Sequence, residues 1–147
     1  MPAVVLISCL GLAVPAAPAG AALFSATGTV IAIMAGDLFV GEAEGHLGGA
    51  GTLSIHSQKN PALTCAGQFT SSAALGGSGQ LTCSDGATAT FHFQRLSVWR
   101  GFGAGDFSRG PMSFAYGIPA EDSGPYLKLP EGKKLVQSGT ELQLADL

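Results

Sequence analysis

The chain has 147 residues, of which 22 are glycine and 12% are charged, with a formal net charge of −3. That length gives one domain with a core large enough to need neither metal nor several disulfides. The mild negative charge argues against a nucleic-acid-binding role. Glycine at about twice its ordinary usage, rich Thr, Ser and Ala, and no long helical period point to an all-β chain with many turns.

Ala3 to Val14 is an apolar run of signal-peptide length, followed by the small-residue stretch PAAPAGAA. Small residues at the first and third positions before the cut fit cleavage after Ala19, Ala21 or Ala22. Residues 1–22 are therefore read as a cleaved signal peptide, and 23–147 as a single β domain. The run is shorter than the ~20 apolar residues a membrane-spanning helix takes, so no transmembrane helix is expected. No Lys or Arg precedes it, and an apolar N-terminal strand is the alternative. Leu6-Ile7-Ser8-Cys9 also resembles a bacterial lipobox, which would make Cys9 a lipidation site. Almost no apolar stretch precedes that cysteine, which counts against it.

In chain order, Thr29–Met34 is the first predicted strand, Gly36-Asp37 a break, and Leu38–Gly45 a second strand with Glu42 and Glu44 on one solvent face. An internal repeat then emerges. The segment from Leu47 to Leu53 (LGGAGTL) matches that from Leu75 to Leu81 (LGGSGQL) at an offset of about 28 residues, and a degenerate third copy follows, with Trp99 at the Leu75 position. The repeat defines three hairpins, about 38–55, 63–84 and 88–107. In the second, Cys65 falls opposite Cys83, Gly67 opposite Leu81 and Phe69 opposite Gly79, with the midpoint at Ala74. Once the leader is removed, these are the two remaining cysteines, an even count that suggests a disulfide in an exported chain. Two buried thiols are the alternative. The equivalent positions are Asp37 and Ile55 in the first copy, and Ala89 and Phe107 in the third.

Glycines 49, 51, 77, 79, 101, 103 and 105 recur at every second position on one strand face, opposite Phe or Gly. A strand glycine makes room for a large ring from the neighbouring strand. Ser57–Pro61 is a turn. At Ser84-Asp85-Gly86, a three-residue loop with Gly86 left-handed keeps Phe91 and Phe93 on the apolar face, whereas a two-residue loop would send them to the polar one. Met112, Phe114 and Tyr116 alternate in a further strand, Ile118–Pro125 is a loop, and short strands are expected at Tyr126–Leu129, Lys134–Gln137 and Thr140–Leu144 within a C-terminal stretch of strands, 111–145. The sum is an antiparallel meander of about eight to ten short strands, as a strongly coiled sheet or a small barrel.

Little in the sequence carries chemistry. His46, His56 and His92 do not converge in the predicted register, so no metal site is assigned. Ser78, between Gly77 and Gly79, lacks the nucleophile-elbow context. Glu42 with Glu44 and Glu121 with Asp122 read as solvated carboxylates. No catalytic residue and no cofactor is assigned. The most suggestive stretch runs from Arg95 to Arg109, where Arg95, Trp99, Arg100 and Phe102 are candidate binding residues, since rings beside arginines stack sugars and pair with anions. The competing reading folds Trp99 down as an apolar lid on its hairpin.

The segments CAGQF, GSGQLTCSDG, ATFHF, GFGAG and GPMSFAYG resemble a class of small exported, glycine-rich proteobacterial β-proteins that share an alternating-glycine pattern around two cysteines. The likeness covers roughly residues 36–117. It implies an envelope protein, periplasmic or cell-envelope in a Gram-negative bacterium, and carries no activity across. The glycine-spaced hairpins are also faintly similar to MORN repeats, but the aromatic Tyr-x-Gly openings of those repeats are missing. The expected function is a non-enzymatic envelope protein with a structural role or one binding a protein or glycan. A small-ligand carrier barrel is the alternative, and a hydrolase with an unrecognised site comes third. An interior filled by Phe69, Leu81, Phe91, Phe93, Met112 and Phe114 would count against the carrier.

Overall fold

The computed structural model describes residues 25–72 and 76–147. The expected signal peptide, Cys9, Ala74 and Leu75 lie outside the described residues. Eight strands follow in chain order: β1 (Ser25–Met34), β2 (Asp37–His46), β3 (Ala50–Ser57), β4 (Thr64–Ser72), β5 (Gly76–Cys83), β6 (Thr88–Arg95), β7 (Gly101–Phe107) and β8 (Gly110–Tyr116). Each pairs antiparallel with the next, and β8 returns to β1, so the meander closes into a barrel and leaves no open edge among these strands.

The predicted register of the second and third hairpins holds. Cys65 faces Cys83, Gly67 faces Leu81 and Phe69 faces Gly79, and Cys65 and Cys83 form a disulfide. Leu81 faces Ala89 and Gly79 faces Phe91, which is the outcome of the three-residue loop. Gly86 sits there at φ 88°, and the Asp85 carboxylate accepts the Ala87 N–H at 3.0 Å.

The first hairpin departs from its copies. Ile55 faces Gly41, and Asp37 pairs with Met34 across the β1–β2 turn, so the two are not the counterpart of the cysteine pair. Its turn is Leu47-Gly48-Gly49, with Gly49 at φ 89°, whereas in the second copy Gly76 and Gly77 already pair with β4. The turn has moved two residues along the motif. An even shift preserves which side chains face inward, which is why the sequence repeat survives it. Gly49 is therefore a turn residue, not one of the strand-face glycines.

From Val30 to Met34, β1 is buried on both faces. Val30, Ala32 and Met34 belong to the barrel interior, while Ile31 and Ile33 belong to a second cluster outside the barrel with Leu38, Ala115, Ile118, Leu127 and Leu142. This outer layer is the C-terminal segment: a one-turn helix α1 (Ala120–Ser123), a 3-10 turn (Gly124–Tyr126) and a separate hairpin of β9 (Lys133–Ser138) and β10 (Glu141–Asp146). The expected loop at Ile118–Pro125 thus contains helix, and Tyr126–Leu129 is not a strand. Gly124 and Pro125 begin a tight turn, and the Lys128 N–H then donates to the Ser113 hydroxyl of β8 at 2.8 Å instead of to a ladder partner. Because this flap covers an apolar stripe, Leu127→Asp is expected to cost about 2–4 kcal/mol by placing a carboxylate in that layer. Limited proteolysis should then cut between Gly117 and Leu147. Unchanged protease resistance and melting temperature would show that the flap contributes nothing to the fold.

Candidate functional site

The barrel's two ends differ. At one end lie the tight connections Ala35-Gly36, Ser84–Gly86 and Ser108-Arg109, together with the six-residue connection 58–63. The interior there is filled, with Met34, Phe39, Ile55, Cys65 and Leu81 each no more than 1% exposed. At the other end lie the Leu47–Gly49 turn and the Leu96–Arg100 connection. A cavity of about 640 Å³ opens there, lined in depth by Val30, Leu53, Phe91, Phe93, Met112 and Phe114. An eight-stranded barrel is just wide enough either to be filled by its own side chains or to hold one small ligand. This barrel does the first in one half and the second in the other.

The glycine row decides which. A Cβ on Gly77 would lie 2.8 Å from Cζ of Phe93, one on Gly79 2.5 Å from Cζ of Phe91, and one on Gly103 2.5 Å from Cζ of Phe114. Gly51 receives the Phe69 ring and Gly101 the Tyr116 ring in the same way. Each ring lies back across the glycine of a neighbouring strand, against the wall, and the axis of the barrel stays open. The rings also meet edge to face, Phe69 with Phe93 at 5.6 Å, Phe93 with Tyr116 at 5.9 Å and Phe91 with Phe114 at 5.2 Å, an arrangement that holds them in place. Of the six residues expected to fill the interior, Leu81 does so at the packed end, while Phe69, Phe91, Phe93, Met112 and Phe114 form walls of the cavity.

Gly28 and Gly45 are different. They line the cavity, and a Cβ on either would meet nothing closer than 3.8 Å. The nearest ring atom, Cζ of Phe69, stands 3.9 Å from a Cβ on Gly45, so the space their missing side chains leave is part of the cavity itself.

The structure divides the four candidate binding residues. Arg95 lies on the same strand face as Phe91 and Phe93 and points into the mouth of the cavity. Its Nη2 donates to the Ser71 hydroxyl at 2.6 Å, and that hydroxyl donates to the Gly49 carbonyl at 3.2 Å. The Arg95 Nε is buried and has no hydrogen-bond acceptor among the described residues. Trp99 stands at the rim, 61% exposed, so the folded-down lid is not its conformation. The Leu96–Arg100 turn is closed by its own backbone, with Leu96 and Ser97 donating to the Arg100 carbonyl, and this holds the ring out over the opening. Arg100 is exposed and does not line the cavity. Phe102 lies on the outer surface, where its ring packs on Tyr126 of the C-terminal flap at 4.7 Å. It is a flap anchor, not a cavity residue.

Tyr116 and Ser71 were missed as site residues. Strand alternation was sufficient to find them: Tyr116 continues the inward series Met112, Phe114, and Ser71 continues Cys65, Gly67, Phe69. Tyr116 is half-buried, and burial pushes its phenol above the usual value of 10.0, while the positive charge of Arg95 pulls it back down. At neutral pH the hydroxyl keeps its proton and can donate. His46 sits at the rim, and no group of three metal-ligating side chains is found among the described residues. No protein-family model, curated protein or solved structure matches this chain.

Proposed function

We propose that this protein is a non-enzymatic binding barrel of the cell envelope that holds a small, largely apolar molecule in the open half of its interior. The observation that carries the reading is the half-hollow barrel: about 640 Å³ of ring-walled space above a packed plug, in the size range of small-molecule sites. Exposed Leu47, Val98 and Trp99 at its rim give an apolar molecule a graded path out of water. A buried disulfide suits an oxidising compartment, which supports export. The walls favour holding over transforming a ligand. Among the described residues their ionisable groups are His46, Arg95 and Tyr116, with no carboxylate among them to orient a base.

Trp99, the single tryptophan, is a built-in reporter at the mouth. Titration with N-phenyl-naphthylamine, a neutral apolar dye, is expected to change Trp99 emission and to saturate at one site per chain. At Gly45 a Cβ meets only ordinary van der Waals contact, so Gly45→Phe should send its ring into the cavity and weaken dye binding at least ~10-fold, with the circular dichroism spectrum unchanged. Equal dye binding by a folded Gly45→Phe protein would sink the reading, as would no binding by the wild type.

A further inference from the structure

We infer that the ligand of this cavity is an amphipathic monocarboxylate, an acyl chain of medium length whose carboxylate docks on Arg95 at the mouth and whose apolar tail runs down between the phenylalanine rings. The inference rests on the binding-barrel reading and adds the charge, shape and orientation of the ligand.

A guanidinium carries five N–H donors in a planar fork. Ser71 accepts from Nη2 at 2.6 Å, and the buried Nε has no acceptor among the described residues. Among the described residues no Asp or Glu lines the cavity, so the positive charge faces an apolar space without a neutralising partner. An uncompensated guanidinium at the mouth of an apolar space fits a carboxylate, which accepts charge-assisted N–H bonds from arginine. One cation matches one negative charge, whereas a dianion would carry a surplus charge into a ring-walled site. Tyr116, from the strand paired with β7 and within the field of Arg95, supplies a hydroxyl donor at the same level.

Below this polar ring the lining turns apolar. From Arg95 down to Phe91 is four residues of β6, about 13 Å along the strand and less along the tilted barrel axis. The packed plug then closes the path with Leu81, Ile55 and the Cys65–Cys83 pair. A blind, narrow cavity with Arg95 at its open end orients the ligand with head out and tail in. It also limits the tail to a medium chain.

The test is displacement of bound N-phenyl-naphthylamine by decanoate, decanol and decylamine at pH 7. Decanoate should compete roughly 10- to 100-fold better than decanol, the gain expected of a charge-assisted hydrogen bond, and decylamine worst. Arg95→Gln should bring decanoate down to the level of decanol and leave decanol unchanged. Arg95→Lys should keep part of the preference. A role for Arg95 confined to tethering β6 to β4 through Ser71 would lower the melting temperature of Arg95→Gln without moving the decanoate-to-decanol ratio. The wild-type series does not depend on any variant folding. If the dye binds and Gly45→Phe blocks it, but decanol or decylamine competes as well as decanoate, or decanoate does not compete, the monocarboxylate inference is overturned and the binding barrel stands. If the dye does not bind at all, both fall.

Discussion

Replacing Cys65 and Cys83 together by alanine is expected to lower the stability of the barrel by about 3 kcal/mol and leave ligand binding intact. The bridge joins residues 18 apart in sequence, and closing a loop of that size removes roughly this much free energy of disorder from the unfolded chain. Both side chains are buried in the plug, at 0% and 4% exposure, so their replacement also removes packed sulfur from a filled region. The melting temperature should fall on the order of 10 °C. The plug is the far end from the mouth, and neither cysteine lines the cavity. Dye affinity measured well below the new melting temperature should therefore match wild type. An unchanged melting temperature would mean that the bridge is not formed in the folded protein. A large loss of affinity in a folded variant would mean that plug and cavity are coupled.

Gly67→Val should cost about 3 kcal/mol or more, at or beyond the upper end of ordinary overpacking. A strand normally gains from exchanging glycine for a β-branched residue. Here the sign reverses. A Cβ on Gly67 would stand 2.7 Å from the Gln80 carbonyl carbon and 2.9 Å from the Leu81 Cα, and would strike the Gln80 carbonyl oxygen. These are backbone atoms of β5, which cannot swing aside as a side-chain tip can without displacing the strand. Gly48→Ala is the matched control: nothing lies within 4 Å of its Cβ, and its effect should stay within about 0.5 kcal/mol. Urea denaturation of both variants decides the matter. Equal midpoints would show that the close strand approach at Gly67 relaxes at little cost.

Two glycine substitutions on inward positions thus have opposite expected readouts. Gly67→Val breaks the wall, and Gly45→Phe fills the hollow. Alternation alone assigns both glycines to the same class, because it reports which face a residue occupies and not what stands opposite. The same limit explains the fate of the four candidate binding residues. Arg95, Trp99, Arg100 and Phe102 were grouped by nearness in sequence. Parity along β6 and β7 separates them, since Arg95 shares a face with Phe93 while Phe102 sits between the inward Gly101 and Gly103. Trp99 and Arg100 lie in a connection, where period-2 reasoning does not apply, and their positions follow from the backbone hydrogen bonds that close it.

The C-terminal segment was legible only in part. Its last hairpin was readable from turn residues flanking short β-rich runs, and β9 and β10 fall within a residue or two of expectation. The helical turn at Ala120–Ser123 has no side-chain cap and is a single turn long, so it carried no local signal. It exists because the chain must cross the outer face of the barrel and bury Ile118 and Leu127 there.

By itself, the sequence determined the all-β class, the three hairpins, the cysteine register and the left-handed Gly86 loop. Each of these follows from short-range rules of parity and turn chemistry that act within some twenty residues. Closure of β8 onto β1, the flap over the outer face of β1 and the hollow in one half of the barrel were decided only by the tertiary structure. They depend on contacts between segments far apart in the chain, and on whether each ring leans against a glycine of the neighbouring strand or projects into the axis. The composition permitted either a filled barrel or an open one. The direction the rings lean made the open half, and left Arg95 facing it.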